Sequence, residues 1–201
     1  MGLVNGDTLT GSLATAATVT SNIGSYAITR GTLGASGNYD VSYVGADLTV
    51  TARPLTITAN AQSRIYGDAN PALSYTVGGM GLANGDTLTG SLATSATVTS
   101  NIGSYAITRG TLGASSNYDV SYVGADLTVT ARPITITANA QSRIYGDANP
   151  ALSYTIGGMG LVNGDTLTGS LATSATVTSN VGSYAITRGT LGASSNYALS
   201  Y

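Results

Sequence analysis

The sequence predicts a mainly β protein built as a tandem array of small domains. Three observations lead there. Short runs alternate apolar and hydroxyl residues, as in Leu48, Val50 and Ala52 with Thr49 and Thr51 between them, and a period of two marks a half-buried strand. Thr, Ser, Ala, Gly and Val dominate the composition, which suits strands and turns over helices. Finally, the text repeats: Gly2, Gly81 and Gly160 head equivalent segments, so the period is 79 residues (81 − 2 and 160 − 81). That is too long for a solenoid repeat and long enough for a small self-contained domain.

The stretch from 48 to 76 returns at 127 to 155 with Leu55 changed to Ile134. Within it the apolar parity switches, from Leu48, Val50 and Ala52 to Leu55, Ile57 and Ala59. A single straight strand cannot do this, because a slip of one residue puts its apolar set on the opposite face. Two strands therefore meet at Arg53-Pro54, where Pro54 has no N–H for a ladder and holds its predecessor extended. With no Gly/Ser linker, a stiff joint is expected. This seam divides the chain into residues 1–53, a partial repeat lacking its first strands; 54–132, a complete repeat; and 133–201, a partial repeat lacking its last strand. Met1 aligns with Met80 and Met159, so the chain is read as starting inside a unit.

In the central repeat, Leu55 to Ala59 is read as a strand. Tyr66-Gly67-Asp68-Ala69-Asn70-Pro71 is a turn cluster. Leu73, Tyr75 and Val77 alternate as a second strand, ended by Gly78-Gly79. Asn84-Gly85-Asp86 is a turn, with Asp86 capping one or two helical turns that carry Leu88 and Leu92. Ala96 and Val98 pair with Tyr105 and Ile107 in a hairpin about Asn101-Ile102-Gly103, and Tyr118, Val120 and Tyr122 pair with Leu127, Val129 and Ala131 in another about Val123 to Asp126. The expectation is about six short strands around a core of Leu, Val, Ile and some Tyr.

Composition narrows the function classes. The chain has no Cys and no His; every basic residue is one of seven Arg, every acidic one of nine Asp, and every aromatic one of thirteen Tyr. No disulfide or thiolate chemistry is available. A net charge of −2 gives no polybasic surface for nucleic acid or acidic lipid. No apolar run is long enough for a membrane helix, and irregular turns without aromatic girdles argue against an outer-membrane barrel. Catalysis by Ser or Thr needs an adjacent base, and the only carboxylates sit in turn contexts, so no enzyme, catalytic residue or cofactor is expected.

Asp68 and Asp86 carry the oxygen donors that calcium prefers, but without a DxDxD-type cluster they read as turn formers, so no metal site is assigned. Tyr66, Tyr75, Tyr105, Tyr118 and Tyr122 form either a carbohydrate platform or, as their alternation with Val, Leu and Ile suggests, half-buried strand packing. Arg53 is read as bridging neighbouring repeats or solvated. Thr49, Thr51, Thr56 and Thr58 resemble an ice-binding ladder but follow equally from β-propensity on a solvent face.

The ordered pieces Arg53-Pro54 with LTITA, YGDANPALSYT from Tyr66, GLANGDTLTG from Gly81, NIGSYAIT from Asn101 and NYDVSYVGADLTVTA from Asn117 resemble the MBG domain of the YGX type, a tandem module of large bacterial exoproteins and adhesins. The resemblance spans all three repeats. It implies a β-grasp-like domain, with an immunoglobulin-like sandwich as the alternative, arrayed as a rod on a cell surface or in a secreted protein. It brings no catalytic or ligand residues. One departure lies in the last copy, where Asp119-Val120 becomes Ala198-Leu199. The function expected is therefore a structural stalk of an extracellular adhesin-like protein. Its partners are the neighbouring repeats. The alternatives are self-association through unpaired strand edges into a filament, and binding of a glycan or host protein.

Overall fold

A computed structural model describes residues 2–201. All regular structure among them is β: fifteen short strands and no helix. Numbered along the chain, they are β1 (Ala14–Thr15), β2 (Gly24–Thr29), β3 (Ala46–Val50), β4 (Arg53–Ala59), β5 (Gln62–Ile65), β6 (Tyr75–Gly79), β7 (Ala93–Thr94), β8 (Gly103–Thr108), β9 (Tyr118–Val123), β10 (Ala125–Thr130), β11 (Arg132–Ala138), β12 (Tyr154–Gly158), β13 (Ala172–Thr173), β14 (Ile186–Thr187) and β15 (Tyr197–Ser200).

The central repeat supplies two small mixed sheets. One has the order β6-β4-β9, with β4 parallel to β9 so that Leu55 faces Val120 and Ile57 faces Tyr122. The other runs β5-β10-β8-β7, with β10 parallel to β5 and antiparallel to β8. The parity switch at the seam has its counterpart here. β10 buries Leu127 and Val129, and after a break at Ala131, β11 buries Ile134 and Ile136. Pro54 lies near the start of β4, where its missing N–H costs no ladder bond, and its carbonyl accepts from the Met80 N–H at 3.1 Å.

The chain divides into two compact units that cut across the sequence repeats. Among the described residues the first comprises 2–58, Tyr75–Ser91 and Thr111–Val123, and so holds the sheets β1-β2-β3 and β6-β4-β9. The second comprises Ala59–Ser74, Leu92–Gly110 and Gly124–Tyr201, and holds β5-β10-β8-β7, β12-β11-β15 and β13-β14. In the second unit one core cluster joins Tyr66 and Val129 of the central repeat to Ile134 and Tyr197 of the next. Another gathers Ile136, Leu171 and Leu191.

Four local expectations are corrected. No helical turn follows Asp86. Asn84 and Gly85 both adopt positive φ (54° and 78°), the signature of a type I′ turn. The chain then stays extended enough for Thr89 to bridge to Gly113. Gly78 and Gly79 belong to β6 instead of ending it, and Gly79 (φ 71°) lies so close to the seam that a Cβ there would sit 3.0 Å from the Pro54 carbonyl. The partner of β8 across Asn101–Gly103 is β7 (Ala93–Thr94), not Ala96–Val98. Finally, β9 and β10 form no hairpin: with only Gly124 between them, they enter different sheets. At the end of the chain, Ala198 and Leu199 replace Asp119 and Val120, yet β15 lies on β11 in the register of β9 on β4.

Candidate functional site: the joint between consecutive repeats

The densest set of specific polar contacts lies in the second compact unit, where the central repeat meets the third. Its organising residue is Arg132, the counterpart of Arg53. Arg132 Nε donates to the Gly160 carbonyl at 3.0 Å and Nη2 to the Met159 carbonyl at 2.8 Å, both in the third repeat. Its Nη1 turns back to the central repeat, donating to the Tyr66 carbonyl at 3.2 Å and the Asp68 carboxylate at 2.9 Å. The planar guanidinium thus ties the two repeats through four acceptors, a use to which a point-charge amine is unsuited. Asp68 is 44% exposed, so the ion pair itself adds little beyond geometry.

Beside it, the Tyr66-Gly67-Asp68 turn enters the third repeat. The Tyr66 ring meets Tyr197 edge to face, with centroids 5.6 Å apart and planes at 80°, a favoured aromatic arrangement. Both hydroxyls donate to Asp165, at 3.0 Å from Tyr66 and 2.7 Å from Tyr197. The Val162 N–H donates to the Tyr197 oxygen at 3.0 Å. Burial above all pushes the Tyr197 phenol above its ordinary 10.0; Val162 opposes this, and Asp165 reinforces it. Gly67 (φ 83°) presses against Val162, and a Cβ there would come within 2.3 Å of that side chain.

A second clamp is built from asparagine. Asn196 Nδ2 donates to Asn101 Oδ1 at 2.8 Å, Asn196 Oδ1 accepts the Ile102 N–H at 3.0 Å, and the Asn196 carbonyl accepts the Arg132 N–H at 2.9 Å. In the first compact unit Asn117 makes the same three contacts to Asn22, Ile23 and Arg53. There Arg53 donates to the Gly81 and Met80 carbonyls, and Tyr118 donates to Asp86 at 2.7 Å. The asparagine clamp, the bonds from the seam arginine to two glycine-loop carbonyls and the Tyr–Asp bond therefore recur at both seams.

The residues weighed from sequence take these places. Arg53 and its counterpart Arg132 bridge repeats. Asp68 and Asp86 are hydrogen-bond acceptors for Arg132 and Tyr118, and no group of three or more acidic, His or Cys side chains gathers among the described residues. Of the five tyrosines, Tyr66 and Tyr118 are buried and Tyr75 is exposed. Tyr105 is half-buried and donates to the Asn101 carbonyl; Tyr122 is half-buried in β9. Of the Thr ladder, Thr56 pairs with Ser121 at 3.0 Å. Sequence reasoning did not find Asn101, Asn117, Asn196, Asp165 or Arg64. Arg64 is buried and donates to Asn70 and to the Thr97 carbonyl, which pins the turn cluster. Among the described residues no helix is long and apolar enough to cross a membrane.

A family model described as MBG domain (YGX type) matches residues 1–49, 55–128 and 134–201. No curated protein and no solved structure matches the chain. The matched segments cover nearly its whole length as three tandem copies, and the chain belongs to the MBG domain (YGX type) family.

Proposed function

We propose that the chain is a spacer segment in the stalk of a bacterial cell-surface or secreted adhesin-like protein. In this role it is not an enzyme; it holds a distal region at a set distance. The observation that carries the reading is the linker-free joint of the second compact unit. There Ala131 alone separates β10 from β11, and Arg132, Tyr66 and Asn196 bond across the repeat boundary. A joint that consumes the apolar faces and polar groups of both repeats resists bending, as a flexible linker would not. Joints of this kind, repeated, suit a spacer whose length is set by copy number.

X-ray scattering on the chain and on versions with one and two added 79-residue repeats tests this. The expected result is a maximum dimension that grows by a constant increment per repeat. Growth with the square root of repeat number, or collapse to a globule, would sink the proposal. Surface labelling of cells that carry the parent protein tests the extracellular assignment; signal only after permeabilisation would refute it.

A further inference from the structure

β6 is an outer strand of the sheet β6-β4-β9, and among the described residues no strand lies on its other side. The Asn60 N–H donates to the Ser74 carbonyl at 2.9 Å and the Met80 N–H to the Pro54 carbonyl at 3.1 Å, which sets β6 antiparallel to β4. Along an antiparallel strand, backbone groups alternate between facing the partner and facing away. Bonds at 74 and 80 therefore turn the even positions toward β4 and leave the N–H and C=O groups of Tyr75, Val77 and Gly79 pointing outward. β12 repeats the arrangement on β11, with bonds from Asn139 to Ser153 and from Met159 to Pro133. All of β6 is exposed, as is all of β12 except Tyr154; Val77 is 39% exposed and its counterpart Ile156 40%. β6 lies in the complete repeat and has a further repeat after it, whereas β12 has the complete repeat before it. The open edge persists in both contexts and so belongs to the repeat itself.

Exposed edges are normally guarded by charge, proline or a bulge, because their free backbone groups recruit other strands. The opposite outer strand of the sheet, β9, carries Asp119. β6 reads Tyr-Thr-Val-Gly-Gly, with neither charge nor proline, and β12 differs from it only in Ile156.

We propose that β6 pairs antiparallel with β6 of a second copy of this chain, about a two-fold axis at Val77. Three observations select this occupant. The register sets outward N–H groups against outward carbonyls, with Val77 facing the partner's Val77 and Tyr75 facing the partner's Gly79. The side chains complement one another in size: the Tyr75 ring covers the partner's Gly79 on one face, where an aromatic neighbour compensates for the glycine at a sheet edge, and Thr76 lies beside the partner's Gly78 on the other. Finally, the strand is uncharged, so an identical copy brings no like charges opposite one another, which would oppose pairing. The contact uses the same surface on both copies and closes on itself. It extends two three-stranded sheets into one, a recognised mode of strand addition. An array that carries this edge once per repeat binds a second array with avidity. The pairing goes beyond the spacer role, and either can fail without the other.

The chain has no cysteine, so Val77→Cys carries a single thiol. In this pairing the two Cα atoms at position 77 face each other across a hydrogen-bonded pair at about 5.5 Å, within the span of a disulfide. Mild oxidation is expected to link Val77→Cys into dimers about tenfold or more faster than Val98→Cys, a comparably exposed position off the strand. Sedimentation velocity from micromolar to millimolar concentrations is expected to show reversible association of the unaltered chain. Replacing Val77 and Ile156 together by Pro removes two outward N–H groups and no ladder bond to β4 or β11. It should weaken association about tenfold or more, with circular dichroism confirming the fold. Val77→Lys with Ile156→Lys is the second variant: it keeps the backbone groups, sets like charges against each other at the axis and should weaken association as well. A monomer throughout the range overturns the proposal. So does cross-linking of Val77→Cys no faster than that of Val98→Cys, or association that neither the proline nor the lysine pair alters.

Discussion

The Tyr-Gly-Asp turn occurs twice with one sequence and two environments, so the cost of each residue can be separated from its propensity. Tyr66 is buried in the joint and Tyr145 is 63% exposed. Replacing a buried aromatic by Ala costs about 3–5 kcal/mol, and an exposed one within about 0.5. Tyr66→Ala should therefore lower the urea midpoint of the second compact unit strongly and Tyr145→Ala scarcely; equal shifts would show that the joint is not stabilising. The glycines extend the comparison. Gly67 and Gly146 both have positive φ (83° and 92°), but only Gly67 faces a neighbour. Gly146→Ala should cost about 1 kcal/mol from backbone strain, and Gly67→Ala a further 1–3 kcal/mol or so from crowding the stiff Val162 side chain. Tyr197 supplies the pH dependence. Folding raises its pKa, chiefly by burial, so its contribution is fully present below the ordinary 10.0 and is lost as pH rises through the higher folded value. The second unit should therefore lose stability above pH 10.0, and Tyr197→Phe should be less steep there while weaker at neutral pH, where the Asp165 and Val162 bonds are missing. Parallel pH curves for the two proteins would refute this assignment.

At the scale of elements, β3 and β10 share a sequence and differ in partners. β10 has β5 on one side and β8 on the other; β3 has β2 alone. Amide exchange at Leu127 to Thr130 should be far slower than at Leu48 to Val50, and Leu127→Ala should cost about 2–5 kcal/mol where Leu48→Ala costs markedly less. Comparable protection of both strands would mean that β5 contributes nothing. The same contrast shows what could be read in advance. Leu55 to Ala59, Tyr105 to Ile107 and Leu127 to Val129 announce themselves by alternation, and the parity switch marks the break between β10 and β11. β5 does not, because Gln62-Ser63-Arg64 puts a buried cation where alternation looks for an apolar residue. Arg64 is tolerated there because Asn70 Oδ1 and the Ile65 and Thr97 carbonyls accept hydrogen bonds from its guanidinium. The helical turn after Asp86 failed because Gly90, between Leu88 and Leu92, takes a positive φ (84°) and Thr89 bridges to Gly113, neither of which a helix allows. Of the joint, Arg53 was legible as a bridge from its place at the seam. Asn101 with Asn196 was not, since their side chains meet across 95 positions of sequence and no local pattern encodes that pairing.

For the molecule as a whole, the repeat of the sequence and the compact unit of the structure are out of phase, and this has an energetic consequence. In tandem arrays, stability is approximately a sum of intrinsic repeat terms and nearest-neighbour interface terms. Here the interface term is large, because a single core cluster takes Tyr66 and Val129 from the central repeat and Ile134 and Tyr197 from the third. Cutting the chain after Arg132 leaves residues 54–132 as one sequence repeat but removes Asp165, Tyr197 and Val162, the partners of Tyr66 and Gly67, and the two third-repeat carbonyls that hold Arg132. Exposing a buried side chain of this size forfeits about 1.5–3 kcal/mol, and two such residues with their polar contacts amount to about 3–5 kcal/mol. For a domain of this size each kcal/mol moves the melting temperature by about 4–8 °C. Residues 54–132 alone should therefore melt more than about 10 °C below residues 54–201. In the longer chain, Asp165→Ala, a change confined to the third repeat, should speed amide exchange in β5 of the central one. If 54–132 melts where 54–201 does and β5 is indifferent to Asp165, the repeats are independent beads and the joint carries no coupling.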